Sequence, residues 1–258
     1  MYSLRDRIVF VTGASSGIGA ACSRAFAAQG ANVLMAARRL DRVQALAAEL
    51  QKEHGVAAHA FQLDVRDQPA VEKAMASLPP EWEAIEVLVN NAGLSRGLDK
   101  LHEGNLQDWE EMIDTNVKGL LYVSRAVIPG MVKRGVGHVI NLGSIAGVDA
   151  YPGGSVYCAT KAAVRLLSQG LRMDLLGTPL RVTNIAPGMV ESEFSVVRFH
   201  GDQARADKTY EGLTPLTPDD IADAIVFAAT RPPHVNIVEM LITSQAQVST
   251  TMSYRVKQ

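Results

Sequence analysis

Apolar residues along this chain fall into short unbroken runs that alternate with longer stretches of helical period. The runs are IVFVTG (8–13), NVLMAA (32–37), HAFQLDV (59–65), EVLVNNAG (86–93), HVINLGS (138–144), RVTNIAPG (181–188) and NIVEMLIT (236–243). Most are continuously apolar rather than alternating, as expected of strands covered on both faces. Between them the period predicts helices over 17–29, with Ile18, Cys22, Ala25 and Phe26 on one stripe, and over 40–54, stopped by Gly55. Further helices are predicted over 67–78, ended by Pro79-Pro80, over 106–133, which Pro129 should kink or end, and over 155–176, ended by Gly177. Thr217, Pro218 and Asp219 read as an N-cap and first turn for a helix through Ala229. This strand–helix order predicts an α/β fold, a doubly wound, seven-stranded, mostly parallel sheet with right-handed crossovers and helices on both faces. No Pro-, Gly- or Ser-rich linker, repeat or low-complexity tract interrupts it, so a single domain over 1–258 is expected. The charged segment 191–211 shows no period and reads as a lid or binding loop.

Composition narrows the partners. Hydrophobic residues make up 47% and charged residues 20% of the 258, an ordinary globular balance. The net charge of −2 contains no block of one sign, which argues against nucleic acid or an anionic membrane as the main partner. No apolar run is long enough to span a bilayer, and MYSLRDRIVF lacks the parts of a secretion signal, so a cytoplasmic location is expected. Two cysteines, Cys22 and Cys158, make no disulfide framework and read as small buried hydrophobes. The six histidines form no close ligand pair, so no metal site is expected, and they read as scattered surface or capping residues.

Chemistry enters with the first strand. VTGASSGIGAA follows it and opens a helix, placing Gly13 at a tight turn, Gly17 where a pyrophosphate comes close, and Gly19 where a helix packs tightly. The helix N-terminus adds free N–H groups and the positive end of a dipole. This context makes the chain a Rossmann-type dinucleotide binder. The spacing is not that of a Walker A loop. At the end of the second strand an acidic residue would bind the ribose 2′-OH of NAD; here Arg38 and Arg39 follow Ala36-Ala37 and match a 2′-phosphate, which points to NADP(H). The alternative is that both arginines are solvated and Asp41 serves NAD.

Tyr157 and Lys161 are four residues apart, on one face of a predicted helix. They are either a surface pair or a phenol whose acidity is set by an ammonium one turn away. A phenol's pKa of about 10 is too high for an efficient base at neutral pH, and a neighbouring cation lowers it. Ser144 ends the fifth strand, on the same rim of the sheet as the glycine loop and NNAG.

Together, TGASSGIG (12–19), LDV (63–65), NNAG (90–93), Asn116 in DTNVKG, Ser144 in GSIAG, Tyr157-Cys-Ala-Thr-Lys161 and Pro187-Gly188 resemble the classical short-chain dehydrogenase/reductase family over nearly the whole chain. The resemblance implies that Tyr157 is the general acid in reduction and the base in the reverse direction. It implies that Lys161 holds the nicotinamide ribose, that Ser144 hydrogen-bonds the substrate oxygen, and that Asn116 holds a water of a proton relay. It implies cofactor contacts from Gly13, Ser15, Ser16, Gly17, Ile18 and Gly19, from Arg38 and Arg39, and from Asp64 and Val65 at the adenine. Asn91, Ala92 and Gly93 would serve the ribose side, and Pro187, Gly188, Val190 and Ser192 the nicotinamide end. Two departures stand out: Ser192 sits where threonine is frequent, and position 16 is serine rather than a basic residue, so the 2′-phosphate reading rests on Arg38 and Arg39.

NNAGLSRG, YPGGSVYCATKA, PGMVESEFSVVRFHGD and PPHVNIVEM resemble one branch, the NADP-dependent 3-hydroxy acid dehydrogenases, which includes serine dehydrogenases and some sulfoacetaldehyde reductases. That implies a small hydroxy acid or aldehyde acid as substrate and a homotetramer. Arg198 is a candidate clamp for a substrate carboxylate or sulfonate, or else a surface arginine paired with Asp202 or Glu193; Arg96 is a second candidate. The rivals are a reductase of bulkier ketones, with a more apolar 191–211 loop, and a silent dinucleotide-binding regulator. A regulator is expected to lack one of Asn116, Ser144, Tyr157 or Lys161, and all four are here.

Overall fold

The computed structural model describes residues 2–256. Its strands are β1 (Ile8–Thr12), β2 (Asn32–Ala37), β3 (Ala58–Gln62), β4 (Ile85–Asn90), β5 (His138–Leu142), β6 (Arg181–Pro187) and β7 (Glu239–Ile242). They form one parallel sheet in the order β3-β2-β1-β4-β5-β6-β7. Winding therefore reverses between β1 and β4, and connections leave that point in opposite directions. The crevice outside the carboxyl ends of these two strands is where such sheets bind ligands.

The unbroken apolar runs are explained by cover on both faces. Along β1, Val9 and Val11 face one core, while Ile8 and Phe10 face the other; β4 splits its residues likewise, Val87 and Val89 against Leu88. The first core is closed by α1 (Gly17–Ala28), α2 (Leu40–His54) and α9 (Pro218–Ala229), through Cys22, Phe26, Leu50, Ile221 and Ile225. The second is closed by α3 (Gln68–Ala76), α5 (Leu120–Arg134) and α6 (Ser155–Asp174), through Val71, Val127, Met131 and Leu171. Each fully buried side chain of this kind contributes about 1.5–3 kcal/mol. Thr217 caps α9 in a reciprocal capping box with Asp220.

Four expectations need correction. The segment 106–133 is not one helix: α4 (Leu106–Ile113) passes through a π-helical stretch, Asp114–Gly119, into α5. Pro129 does not end α5, which runs on to a left-handed Gly135. A mid-helix proline costs about 3 kcal/mol, and burial of Val123, Val127, Ile128 and Met131 along that helix outweighs it. The segment 191–211 contains two short helices, α7 (Phe194–Arg198) and α8 (Gln203–Lys208), the latter capped by the Asp202 side chain. They are too short to show a helical period. Finally, His138 is not a surface residue. It is 2% exposed inside the sheet, its Nε2 donates to the Thr183 hydroxyl (2.7 Å), and that hydroxyl donates to the Ile237 carbonyl. Burial, with help from Arg181, holds its pKa well below the usual histidine value. Both cysteines are buried, as expected. No helix among the described residues is long and apolar enough to cross a membrane.

Candidate active site

A cleft of about 620 Å³ opens at the carboxyl edge of the sheet, over β1 and β4. Its floor is the turn after β1. Gly13 has φ +66°, and a Cβ there would sit 2.9 Å from the Ala92 Cα. A Cβ on Gly19 would come within 2.5 Å of both the Gly13 carbonyl and the Asn91 amide. The turn after β4 is thus pressed onto the turn after β1. Hydrogen bonds staple the two: the Thr12 hydroxyl accepts from the Asn91 and Ala92 N–H groups (3.1 Å each), and Asn91 Nδ2 donates to the Thr12 carbonyl (2.9 Å). Ser16, the N-cap of α1, makes no side-chain cap; its hydroxyl accepts from Arg39 Nη2 instead (2.8 Å). The first-turn N–H groups of α1 are left without a side-chain cap, an arrangement suited to an anion.

At one end of the cleft stand Arg38, Arg39 and Asp64. Arg39 donates from Nε and Nη2 to the Ser15 hydroxyl and from Nη1 to Glu193 (2.8 Å). Asp64 is chelated by Arg66 (2.6 Å), whose hydrogen bonds and charge outweigh the effect of burial and hold its carboxyl below the usual value. Asp41 is exposed in the first turn of α2 and does not line the cleft. An acid there favours the helix dipole, so the reading of Asp41 as a ribose ligand is not supported. A dinucleotide with a 2′-phosphate fits this set: an uncapped helix start for the pyrophosphate, and guanidinium donors where the adenosine ribose would lie.

At the other end are Ser144, Tyr157 and Lys161. Tyr157 and Lys161 sit on α6 and are 7% and 6% exposed, so this is no surface pair. Lys161 Nζ donates to the Leu142 carbonyl (2.8 Å) and lies 5.9 Å from the centre of the Tyr157 ring. Burial pulls its pKa down to about 8. Ser144 Oγ accepts from the Ala146 N–H (3.1 Å), shaping a tight turn, Ile145–Gly147, that packs on the backbone of α6. Burial pushes the Tyr157 phenol above its ordinary value. The charge opposing that rise is Arg198, followed by the Ser144 hydroxyl. Two cations flank this ring: the Arg198 guanidinium carbon 5.5 Å from its centre and the Lys161 amine at 5.9 Å.

Asn116 lies behind the wall of the cleft, in the π-helical stretch. Its Nδ2 donates to the Leu94 carbonyl (2.8 Å) and the Thr160 hydroxyl (3.0 Å), and its Oδ1 accepts from the Leu94 N–H (2.8 Å). Both amide hydrogens are committed, so the side chain ties the β4 exit to α6. Gly19 is likewise behind the wall, as helix packing requires. The remaining expected cofactor positions line the cleft: Gly13, Ser15, Ser16, Gly17, Ile18, Val65, Asn91, Ala92, Gly93, Pro187, Gly188, Val190 and Ser192.

Arg198 is half-buried on α7. Its guanidinium carbon is 5.0 Å from the Phe194 ring centre and 5.9 Å from that of Tyr151, and Nη2 donates to the Tyr151 hydroxyl (3.1 Å). Its Nε is buried with no hydrogen-bond partner. Neither proposed surface partner reaches it, because Glu193 is taken by Arg39 and Arg42 and Asp202 by the cap of α8. Arg96 is different. It is neutralised by Glu111 (2.7 Å) and donates to the Val197 carbonyl, so it holds α7 in place rather than a ligand. Sequence reasoning missed Tyr151 and Phe194, of which Tyr151 left a signal in the YPGG turn preceding α6, and it weighed Glu193 only as a partner for Arg198.

The model of the short chain dehydrogenase family matches residues 7–202. The chain belongs to the short-chain dehydrogenase family. Within the family it is 54% identical to an NADP-dependent 3-hydroxy acid dehydrogenase, YdfG, of Salmonella typhi, over 93% of this chain and 96% of that relative. It is 46% identical to a sulfoacetaldehyde reductase of Chromohalobacter salexigens, over 95% and 98%. A solved structure described as the closed form of serine dehydrogenase complexed with NADP+ superposes with a TM-score of 0.90 at 48% identity, covering 97% of this short-chain dehydrogenase and all of that chain.

Proposed function

We propose that this chain interconverts a small hydroxy acid, of the 3-hydroxy acid or serine type, and its carbonyl form. It is an NADP(H)-dependent oxidoreductase acting on CH–OH groups. When bound, the nicotinamide supplies or accepts the hydride. In the reductive direction Tyr157 gives its hydroxyl proton to the carbonyl oxygen as that oxygen gains charge, and Ser144 hydrogen-bonds the same atom. The raised pKa of the phenol keeps the proton available at neutral pH. Lys161 presents a buried amine on the same side of α6, where it would hold the ribose hydroxyls. Asn116 keeps α6 and the β4 exit in register. Arg38 and Arg39 would take the 2′-phosphate. The rival reading as a silent regulator finds no support in a complete and converging set of these residues.

The observation that carries the substrate class is Arg198. Its half-buried guanidinium has no carboxylate partner and lies 5.5 Å from the centre of the Tyr157 ring, just behind the cleft wall formed by Phe194 and Val197, which supports a role in attracting a substrate anion. The 46% identity to a sulfoacetaldehyde reductase makes a sulfonate the alternative anion. Dinucleotide binding and catalysis would reside in one domain. Exposed apolar residues on α4–α6, among them Leu106, Leu121, Leu166 and Met173, support burial against sister subunits in a homotetramer; a cytoplasmic location fits the reading.

Purified protein should consume NADPH with three- and four-carbon aldehyde or keto acids at least about 10-fold faster, in kcat/KM, than with the matching esters or neutral ketones, since a charge-assisted hydrogen bond contributes about 1.5–3 kcal/mol. Equal rates on acids and neutral carbonyls would refute the substrate class, and equal turnover with NADH would refute the arginine argument for the cofactor.

A further inference from the structure

Glu193 is the residue before α7, yet its carboxylate lies at the opposite end of the cleft from the catalytic phenol. One oxygen accepts from Arg39 Nη1 (2.8 Å) and the other from Arg42 Nη1 (2.6 Å). Arg39 completes its fork with the Ser15 and Ser16 hydroxyls. The carboxylate therefore occupies donors that a 2′-phosphate would use. The stretch leading to it is seated on the glycine loop: a Cβ on Gly17 would lie 3.4 Å from the Ser192 Cβ. It is held there by backbone pairing of Met189 and Glu191 with Leu216 (3.0 and 2.8 Å) and by the Tyr210 hydroxyl on the Val190 carbonyl (2.9 Å). Directly after it come Phe194 and Arg198, at the chemistry end. One segment thus touches both ends of the cleft.

We infer that Glu193 is an internal competitor for the 2′-phosphate subsite, and so a cofactor-selectivity residue. The inference rests on the reading that Arg39 receives the phosphate. A phosphate brings about −1.5 to −2 charges to Arg39, and a carboxylate on the same guanidinium repels it. Glu193 must then release Arg39. NADH carries no such group and leaves the pair intact. Arg42 first, and Arg39 next, hold the Glu193 carboxyl down at about 2, so it is ionised throughout the working pH range. Both ion pairs are half-exposed, with side chains 41–46% accessible, so the competition is modest.

The test is cofactor binding without substrate, by titration calorimetry, on the full-length native, Glu193→Gln and Arg39→Ala proteins. Glu193→Gln should bind NADPH about three- to ten-fold more tightly and NADH within two-fold of native. Unchanged or weaker NADPH binding, or an equal gain for both cofactors, would overturn the competition. Arg39→Ala should weaken NADPH at least about ten-fold and spare NADH. If it leaves NADPH binding intact, the phosphate subsite itself is elsewhere, and the proposal falls with that reading. Thermal unfolding of each variant within a few degrees of native separates these effects from misfolding.

Discussion

Tyr157→Phe is expected to abolish turnover while leaving NADPH bound. General acid catalysis by a positioned side chain contributes about 10²- to 10⁴-fold, so kcat should fall at least about 10²-fold. The substitution removes one oxygen and keeps the ring, which packs edge-on to Phe194 (5.7 Å) and under Arg198. Cofactor affinity should therefore stay within about two-fold, measured by fluorescence titration. The pH profile follows from the direction of the phenol's shift. Burial raises its pKa, so reduction finds the proton in place through neutral pH, whereas oxidation of the hydroxy acid needs the phenolate and should speed up as pH rises. A Tyr157→Phe protein that reduces substrate at near-native rate would remove Tyr157 from the reaction.

Arg198→Ala carries the second large effect. Loss of a partly buried guanidinium that pairs with a substrate anion costs a charge-assisted interaction, about 1.5–3 kcal/mol and more if bidentate. For an acidic substrate kcat/KM should drop about 100-fold, mostly through KM; for a neutral ketone the change should be less than about three-fold. A second readout is available because Arg198 is the charge that restrains the Tyr157 pKa. Its removal should move the ascending limb of neutral-alcohol oxidation to higher pH. Equal losses on acidic and neutral substrates would return Arg198 to a packing role.

The fold was legible because both faces of the sheet are covered. Continuous apolar runs could not come from half-exposed strands, and the glycine loop fixed the chain's first turn. Strand ends were less visible: Asn91 to Gly93 and Ser144 read as strand, yet they lie beyond the last ladder pairs, in the loops that build the site. The π-helical stretch at Asn116 left no mark, because its cause is tertiary, the clamp of one amide on Leu94 and Thr160. Tyr157 and Lys161 stood out by their spacing, and their roles came from the family resemblance. That Arg198 joins Lys161 beside the phenol required knowing how α7 folds over α6, and five residues of helix carry no period. Glu193 was weighed only as a partner for Arg198. Its true partners come from α2 and the β2 exit, some 150 residues earlier in the chain, a distance no local pattern spans.

Label transfer tests the reaction most directly. NADPH deuterated at its hydride position, incubated with the protein and a small aldehyde acid, should give a hydroxy acid carrying one deuterium on the former carbonyl carbon. NADPH oxidation that leaves the product carbon unlabelled, or efficient labelling only of neutral ketones, would contradict hydride transfer to a small oxo acid.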